Sequence, residues 1–182
     1  VYLHHLANYN RIVVQRNKLL KDLSFRPELK DTLDIWDIQM AEYGKKIIES
    51  RNAFIESLGE IIRGIHEKLS GGKEELTLSY EKHVGAEELY DAITRSRDRD
   101  IRMKTSNVGP HRDDLMFAIG GVDIRKFGSQ GQQRTAALSL KLAEIELVKQ
   151  VIHDTPVLLL DDVLSELDHN RQNYLLNSIH DI

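Results

Sequence analysis

Apolar residues recur every three or four positions over about 40 consecutive residues, and this stripe constrains the fold more than any other feature. It begins near Leu29 and ends at Leu69, just before Gly71 and Gly72. The spacing predicts one α-helix about 60 Å long. A helix of this length is not stable alone, so its apolar side needs a partner.

The preceding segment supplies a candidate partner. Apolar residues at helical spacing over residues 1–23 predict another helix, which Phe25-Arg26-Pro27 ends. We expect the two helices to pack as a long antiparallel arm. An ordinary helical bundle is the alternative.

The rest of the sequence has a mixed α/β pattern. Alternating residues predict a strand over 75–80, and a charge-rich helical pattern covers 86–104. Residues 114–119 and 122–127 read as two strands joined by a Gly120-Gly121 turn. The pattern then predicts a helix over 130–151, a buried strand over 156–160 and a last helix over 168–179.

Composition excludes several classes of protein. The 182 residues include no cysteine, so neither disulfides nor thiolate metal sites are possible. The sequence has no apolar run of the ~20 residues that span a bilayer and no signal peptide, so we expect a soluble protein. With 25 Lys and Arg against 29 Asp and Glu, any nucleic-acid surface must be local. Because the chain starts at Val1 and stops in a helical pattern, we expect a piece of a longer protein.

A run of apolar residues from Val157 to Leu160 ends in two carboxylates, Asp161 and Asp162. A buried strand of this kind delivers acids to its C-terminal edge, where ligands bind. In a Walker B arrangement, Asp161 would hold Mg²⁺ and Asp162 would polarise the water that attacks a phosphoryl group. The alternative is a strand end at which Asp162 or Ser165 simply begins the next turn.

Small and polar residues precede the helix predicted over 130–151. Free backbone amides at a helix N-terminus favour anions, Ser129 supplies a hydroxyl, and Gly131 permits close backbone approach. This turn is a candidate contact for a nucleotide γ-phosphate. The alternative is a helix capped by Ser129, and the run from Ser165 to Asp168 likewise reads as a turn with Asp168 as N-cap.

Three ordered blocks resemble one family. They cover residues 109–115, 129–135 and 158–168, and they are similar to RecF, a family of bacterial recombination mediators that are ABC-type ATPases of the SMC-like group. Residues 9–21 look similar too. The resemblance implies an α/β fold: the C-terminal lobe of an ABC-type ATPase with an inserted long antiparallel helical arm. Residues 1–105 would form the arm, or lobe II, with its short strand, and residues 106–182 the C-terminal part of the ATPase lobe.

The resemblance also implies site residues. The ABC signature motif, which reaches ATP held by the partner subunit of a dimer, would span Ser129 to Arg134. Its nucleotide-binding residues would be Ser129, Gln130, Gly131, Gln132 and Arg134. Asp161 would be the metal-binding Walker B acid and Asp162 the catalytic carboxylate, and the D-loop would include Ser165 and Asp168. Gln130 stands where Gly is usual and Asp162 where Glu is usual. We therefore expect slow hydrolysis, with ATP acting mainly as a dimerisation switch.

The phosphate-cradling Walker A motif is absent from the sequence. The Gly72-Lys73 pair is followed by Glu74, and Glu67 occupies the place of the first Gly. We expect the intact protein to be a weak, DNA-stimulated ATPase. The chain alone should bind ATP weakly and hydrolyse none.

The resemblance implies a cytoplasmic, nucleoid-associated protein that dimerises on binding ATP and does not enter a membrane. It would recognise gapped duplexes or junctions of single- and double-stranded DNA. With RecO and RecR it would promote RecA loading in DNA repair, in replication and in the SOS response. The alternative is a non-catalytic helical scaffold module of an SMC-like protein.

Basic residues in three segments are candidates for DNA contact. Residues 1–21 contain no acid, and Arg95, Arg99 and Arg102 share one face of a predicted helix. Because Asp98 and Asp100 lie among these arginines, we favour a solvated face there. The full set of candidates is Arg11, Arg16, Lys18, Lys21, Arg95, Arg99, Arg102, His111 and Arg112.

Overall fold

The structure, a computed structural model, describes residues 1–152 and, beyond them, residues 169, 172, 173 and 176. The chain divides into two compact units. Unit 1 comprises residues 1–54 and 80–114, and unit 2 comprises residues 55–79 and 115–182. Both units are discontinuous because the long helix contributes to each. This division differs from the single boundary predicted between residues 105 and 106.

Two antiparallel helices form the centre of unit 1. Helix α1 spans Tyr2–Asp22, a 3₁₀ helix spans Pro27–Thr32, and α2 spans Leu33–Ser70. The direction follows from contacts near the two ends of α1, where Arg51 Nε donates to Tyr2 Oη at 3.0 Å and Arg16 Nε donates to Asp37 at 2.6 Å. The sequence prediction of both helices is confirmed. The antiparallel arm, however, uses only the part of α2 before residue 55, because the rest of α2 belongs to unit 2.

The core of unit 1 lies between these helices and a short helix, α3, that spans Leu89–Arg95. Its buried residues are Tyr9, Ile12, Met40, Ile47, Ile48, Leu89 and Ile93. A smaller cluster of Leu20, Leu23 and Leu33 closes the end where the chain turns from α1 into α2. Burial of each large apolar side chain stabilises the unit by about 1.5–3 kcal/mol.

The helix predicted over residues 86–104 is in fact two helices, α3 and α4, and α4 spans Arg97–Met103. They separate at Ser96, whose hydroxyl donates to the Ile93 carbonyl at 2.9 Å. After this break, Asp100 on α4 accepts a hydrogen bond from Arg16 at 2.7 Å. Tertiary contact therefore overrides the continuous helical pattern.

Unit 2 contains most of a three-stranded sheet of order β1-β2-β3. The strands are Leu76–Glu81, Asp114–Ile119 and Val122–Asp123. Strands β2 and β3 pair antiparallel around Gly120 and Gly121, whose φ values of 58° and 79° suit the tight turn. The first two strands confirm the prediction. The strand predicted over 122–127 is shorter because the Asp123 carboxylate accepts from Arg125 N–H at 2.9 Å and begins helix α5, Ile124–Phe127.

Helix α6 spans Gln130–Ile152, as predicted, and it packs on the C-terminal part of α2. Leu69 of α2 contacts the buried Leu138 and Leu142 of α6. The strand predicted over 156–160 lies outside the described residues. Of the helix predicted over 168–179, the described residues 169, 172, 173 and 176 are helical. Within the described ranges, no helix combines the length and hydropathy needed to cross a membrane.

Candidate functional site

The first turn of α6 begins with a reciprocal cap. Gln132 N–H donates to Ser129 Oγ at 3.2 Å, and Ser129 N–H donates to Gln132 Oε1 at 2.9 Å. This capping box satisfies two backbone donors that the helix itself leaves without partners. The Ser-capped interpretation is therefore confirmed for Ser129, and the cap also fixes where the other amides of the turn lie.

The outer side of this turn is open to solvent. Ser129, Gln130 and Arg134 are exposed, and Gly131 is half-buried. A Cβ built on Gly131 would approach nothing closer than Ser129 Oγ, at 3.9 Å. An anion can thus reach the backbone amides at the positive end of the helix dipole.

Two glutamines attach the turn to the rest of unit 2. Gln133 Nε2 donates to the Ile124 carbonyl at 2.9 Å, which ties α6 to α5. Gln132 Nε2 donates to Glu74 Oε1 at 2.9 Å. Gln133 lies inside the predicted signature run from Ser129 to Arg134, whereas Glu74 is not among the site residues predicted from sequence. Glu74 lies between Lys73 and Glu75, and nothing in the sequence distinguishes it from Glu75.

Positive charge lies on α5, close to the turn in sequence. Asp123 is 3.4 Å from Lys126 Nζ and 3.8 Å from Arg125 Nε. Desolvation, which alone would raise the pKa of Asp123, is outweighed by the hydrogen bond from Arg125 N–H and by these charges, so its pKa is lowered. Asp123 therefore remains ionised and neutralises part of the local positive charge.

The other predicted nucleotide-site residues, Asp161, Asp162, Ser165 and Asp168, lie outside the described residues. Their roles remain predictions. Among the residues that the structure does describe, no three His, Asp or Glu side chains come together as a metal site.

Arg16 is not available to DNA, which corrects its place among the DNA-contacting candidates. Its side chain is 0% exposed, and it donates from Nε to Asp37 at 2.6 Å and from Nη1 to Asp100 at 2.7 Å. Its Nη1 also donates to Ser106 Oγ at 2.9 Å. The guanidinium thus joins α1, α2 and α4 within the core.

The other candidates on α1 are exposed. Arg11 lines a groove of about 490 Å³ between α1 and α2, whose walls include Gln15, Trp36 and Tyr43. Lys18 and Lys21 are exposed further along the same helix. Their positions, seven and ten residues after Arg11, place all three on one side of α1.

Arg95, Arg99 and Arg102 are exposed as well, but they do not share one helix. Arg95 lies on α3 and the other two lie on α4, because the helix breaks at Ser96. Asp98 is exposed next to Arg99. The neighbouring Arg97 is ion-paired with Asp34 and, at 2.6 Å, with Asp37.

His111 is held from both sides by unit 1. Its Nε2–H donates to the Ser106 carbonyl at 3.1 Å, since a carbonyl can only accept, and its Nδ1 therefore accepts from Tyr9 Oη–H at 2.7 Å. Burial, together with the charge of Arg112, lowers the pKa of His111 despite the hydrogen bond to Ser106, so the neutral ring is favoured. Arg112 is exposed.

Asp113, in the same block, is also fixed by other residues of unit 1. Asp113 accepts from the Tyr80 hydroxyl and, at 2.8 Å, from His83 N–H, and it lies 3.6 Å from Arg51 Nη1. Burial and the adjacent Asp113 raise the pKa of Tyr80, so its hydroxyl stays a donor. These contacts indicate a structural role for His111 and Asp113, although His111, like Arg112, keeps an exposed surface.

Curated relatives match almost the whole chain, although no protein-family model matches this sequence. Proteins named DNA replication and repair protein RecF are 58% identical over 181 residues in Agathobacter rectalis and 59% identical over 179 residues in Lachnoclostridium phytofermentans. These alignments cover 100% and 98% of the chain and 50% of each relative, so the chain spans about half the length of the curated relatives it matches.

Solved structures that resemble the chain are also RecF proteins. A structure of the recombination mediator protein RecF with ATPγS, from the RecFOR pathway, has a TM-score of 0.88 and 39% identity, and it covers 98% of this chain and 50% of that one. The corresponding RecF–ATP structure has a TM-score of 0.85 and 38% identity over 97% of this chain and 49% of that one. By sequence and by structure, the chain belongs to the RecF family over the half of its relatives that it spans.

Proposed function

We propose that the chain is part of an ATP-binding protein of DNA replication and repair, and that the first turn of α6 is its ABC signature. The observation that carries this proposal is the capped, solvent-facing turn at Ser129, within a chain 58% identical to a RecF protein. The RecF structures that it resembles were determined with ATP and ATPγS. The resemblance noted from the sequence blocks and the similarity of the whole chain support the same assignment.

The turn has the chemistry to bind a phosphate. Open backbone amides, the helix dipole and the Ser129 hydroxyl all favour negative charge, and Gly131 leaves room for it. Ser129 Oγ accepts from Gln132 N–H, so its own proton remains available to a phosphate oxygen. In the proposed dimer these groups contact ATP held by the second subunit.

Hydrolysis would depend on residues outside the described ranges. We propose that Asp161 holds Mg²⁺ and that Asp162 orients the attacking water, as the sequence pattern predicts. Mg²⁺ would neutralise charge on the phosphates. Because Asp is shorter than the usual Glu, turnover would be slow, and ATP would act mainly to close the dimer.

DNA binding and partner proteins complete the proposal. The exposed cations of α1 are the best-placed described residues for phosphate contact. The RecFOR pathway of the structural relatives supports RecO and RecR as partners, with RecA loading at gaps or junctions as the outcome. The alternative remains a scaffold module, and the finding that favours it is that Ser129 and Gln132 form a helix cap, a role that itself needs no nucleotide.

The test is Ser129→Arg in the full-length protein. A bulky cation in the turn should block the trans contact, so ATP-dependent dimerisation measured by sedimentation should weaken by about tenfold or more, which corresponds to at least 1.4 kcal/mol. ATP binding to the monomer should not change. Ser24→Arg is the matched control, because Ser24 is exposed and lies beyond the end of α1. Normal ATP-dependent dimers of Ser129→Arg would overturn the signature assignment and favour the scaffold.

A further inference from the structure

A line of polar side chains runs through unit 2 from the first turn of α6 to the C-terminal part of α2. It comprises Ser129, Gln132, Glu74, His66 and Ser139. His66 is 0% exposed and Ser139 is fully buried, whereas Ser129 faces solvent. The line therefore connects a surface turn to the interior of the unit.

The amide of Gln132 is held at both ends. Its Oε1 accepts from Ser129 N–H at 2.9 Å, and its Nε2 donates to Glu74 Oε1 at 2.9 Å. Because the bond to Glu74 has an ionised acceptor, it is the stronger of the two anchors. Without Glu74, the Gln132 side chain keeps one anchor, and the capping box can open by rotation of that side chain.

His66 lies between Ser139 and Glu74. The Ser139 hydroxyl donates its one proton to the Thr135 carbonyl at 2.8 Å, so it must accept from His66 Nδ1–H at 3.0 Å. The other ring nitrogen, Nε2, lies 3.5 Å from Glu74 Oε2. A proton on Nε2 makes the ring a cation, and the two side chains then attract each other as an ion pair.

A comparison with Glu75 shows that the contact with Gln132 is specific to Glu74. It is 71% exposed and lies 3.9 Å from Arg63 Nε, whereas the Glu74 side chain is only 24% exposed and bonds to α6. A buried histidine costs more free energy than an apolar residue at the same place unless it is well paired. His66 meets this condition at Nδ1, which donates to Ser139, and its Nε2 faces Glu74 Oε2 at 3.5 Å, a contact that favours the pair when the ring is protonated.

We propose that Glu74 and His66 are positioning residues that fix Gln132, and through it Ser129, in the geometry that contacts nucleotide. The inference rests on the proposed function of the α6 turn. It assigns a role to two residues that lie outside every motif recognised in the sequence. Neither is a catalytic residue, since each acts through Gln132.

The experiment compares Glu74→Ala, Glu74→Gln and Glu75→Ala in the full-length protein. Two readouts are needed: hydrogen exchange of the Ser129 and Gln132 amides, which form the cap, without nucleotide, and ATP-dependent dimerisation by sedimentation. In Glu74→Ala we expect exchange about tenfold faster and dimers about tenfold weaker, as for loss of one charge-assisted hydrogen bond. ATP affinity of the monomer should stay unchanged, and a thermal melt shows whether the fold is intact.

Glu74→Gln should rescue both readouts to within about threefold of the unmodified protein. Its Oε1 can accept from Gln132, and its Nε2–H can donate to Nε2 of a neutral His66 ring. Rescue would support positioning by hydrogen bonds. Equal losses in the Ala and Gln variants would overturn it, as would exchange in Glu74→Ala that matches Glu75→Ala.

Ser129→Arg separates failure of this inference from failure of the proposed function. If Ser129→Arg blocks dimerisation but Glu74→Ala dimerises normally, the positioning role is overturned and the signature assignment stands. If neither variant affects dimerisation, the signature assignment is overturned. The proposed role of Glu74, which is to position the nucleotide-contacting turn, is then overturned as well.

Discussion

Arg16 holds two carboxylates in the core of unit 1 with no access to water. Asp37 and Asp100 accept from it at 2.6 and 2.7 Å, and all three side chains are at most 1% exposed. Removing one partner of such a network leaves uncompensated buried charge, so Arg16→Ala should lower the free energy of unfolding by about 3–5 kcal/mol. Lys18→Ala, an exposed change on the same helix, should cost less than about 0.5 kcal/mol. Urea unfolding of both variants measures the difference, and similar midpoints would contradict the assigned role.

The helical spacing of Arg16 in the sequence indicates that it is buried, although its charge is typical of an exposed residue. Arg16 lies seven residues after Tyr9 and four before Leu20, both buried, so helical spacing places it on the apolar face of α1. Lys18 and Lys21 lie off that face and are exposed. Glu74 is different, because no local pattern distinguishes a bonded glutamate from its exposed neighbour. Only the packing of α6 on α2 reveals it.

At the scale of elements, the segment from Gly109 to Arg112 is fastened to α1. Gly109 has a φ of 138°, and a Cβ built there would lie 2.2 Å from Tyr9 Oη. Gly109→Ala should therefore destabilise unit 1 by about 1–3 kcal/mol or more through backbone strain and the clash. Gly85→Ala is the control, since its Cβ would meet nothing closer than 3.8 Å. Equal unfolding midpoints for the two variants would contradict this explanation.

A double variant separates the clash from the backbone strain. Tyr9→Phe removes the hydroxyl that the new Cβ would meet, but it also removes the donor to His111 Nδ1. We expect the double variant Tyr9→Phe with Gly109→Ala to lose less free energy of unfolding than the two single variants lose together. The difference should be about 0.5–3 kcal/mol. Strict additivity in urea unfolding would show that strain at Gly109 acts alone.

Element existence was predicted more accurately than element ends. Periodicity was sufficient for α1, α2 and α6 because each carries a long apolar stripe. It did not predict the break at Ser96, which depends on Asp100 reaching Arg16 from another part of the chain. It also extended β3 too far, although Asp123 is a residue type that begins helices. Distant contacts and caps, rather than periodicity, decided those ends.

At the scale of the whole molecule, the net charge of −4 means that any DNA surface depends on local clusters of cations. Arg11, Lys18 and Lys21 lie on one side of α1, and residues 1–21 contain no acid. Arg11 also lines the groove with Trp36 and Tyr43, where aromatic rings can contact bases. Arg95, Arg99 and Arg102 carry the same charge but sit on two helices beside Asp98.

These two clusters permit a matched comparison in the full-length protein. Replacing Arg11, Lys18 and Lys21 with Ala should weaken binding to gapped DNA and reduce the slope of log K against log salt by about 0.9 for each DNA phosphate that is no longer neutralised, up to about 2.7. Replacing Arg95, Arg99 and Arg102 with Ala removes the same charge and should leave the slope nearly unchanged, because the nearby acid already screens that face. DNA titrations between low and moderate salt measure both slopes. A larger reduction in the second variant would place the DNA surface on α3 and α4 instead, and equal reductions would mean that overall charge, rather than the α1 surface, governs binding.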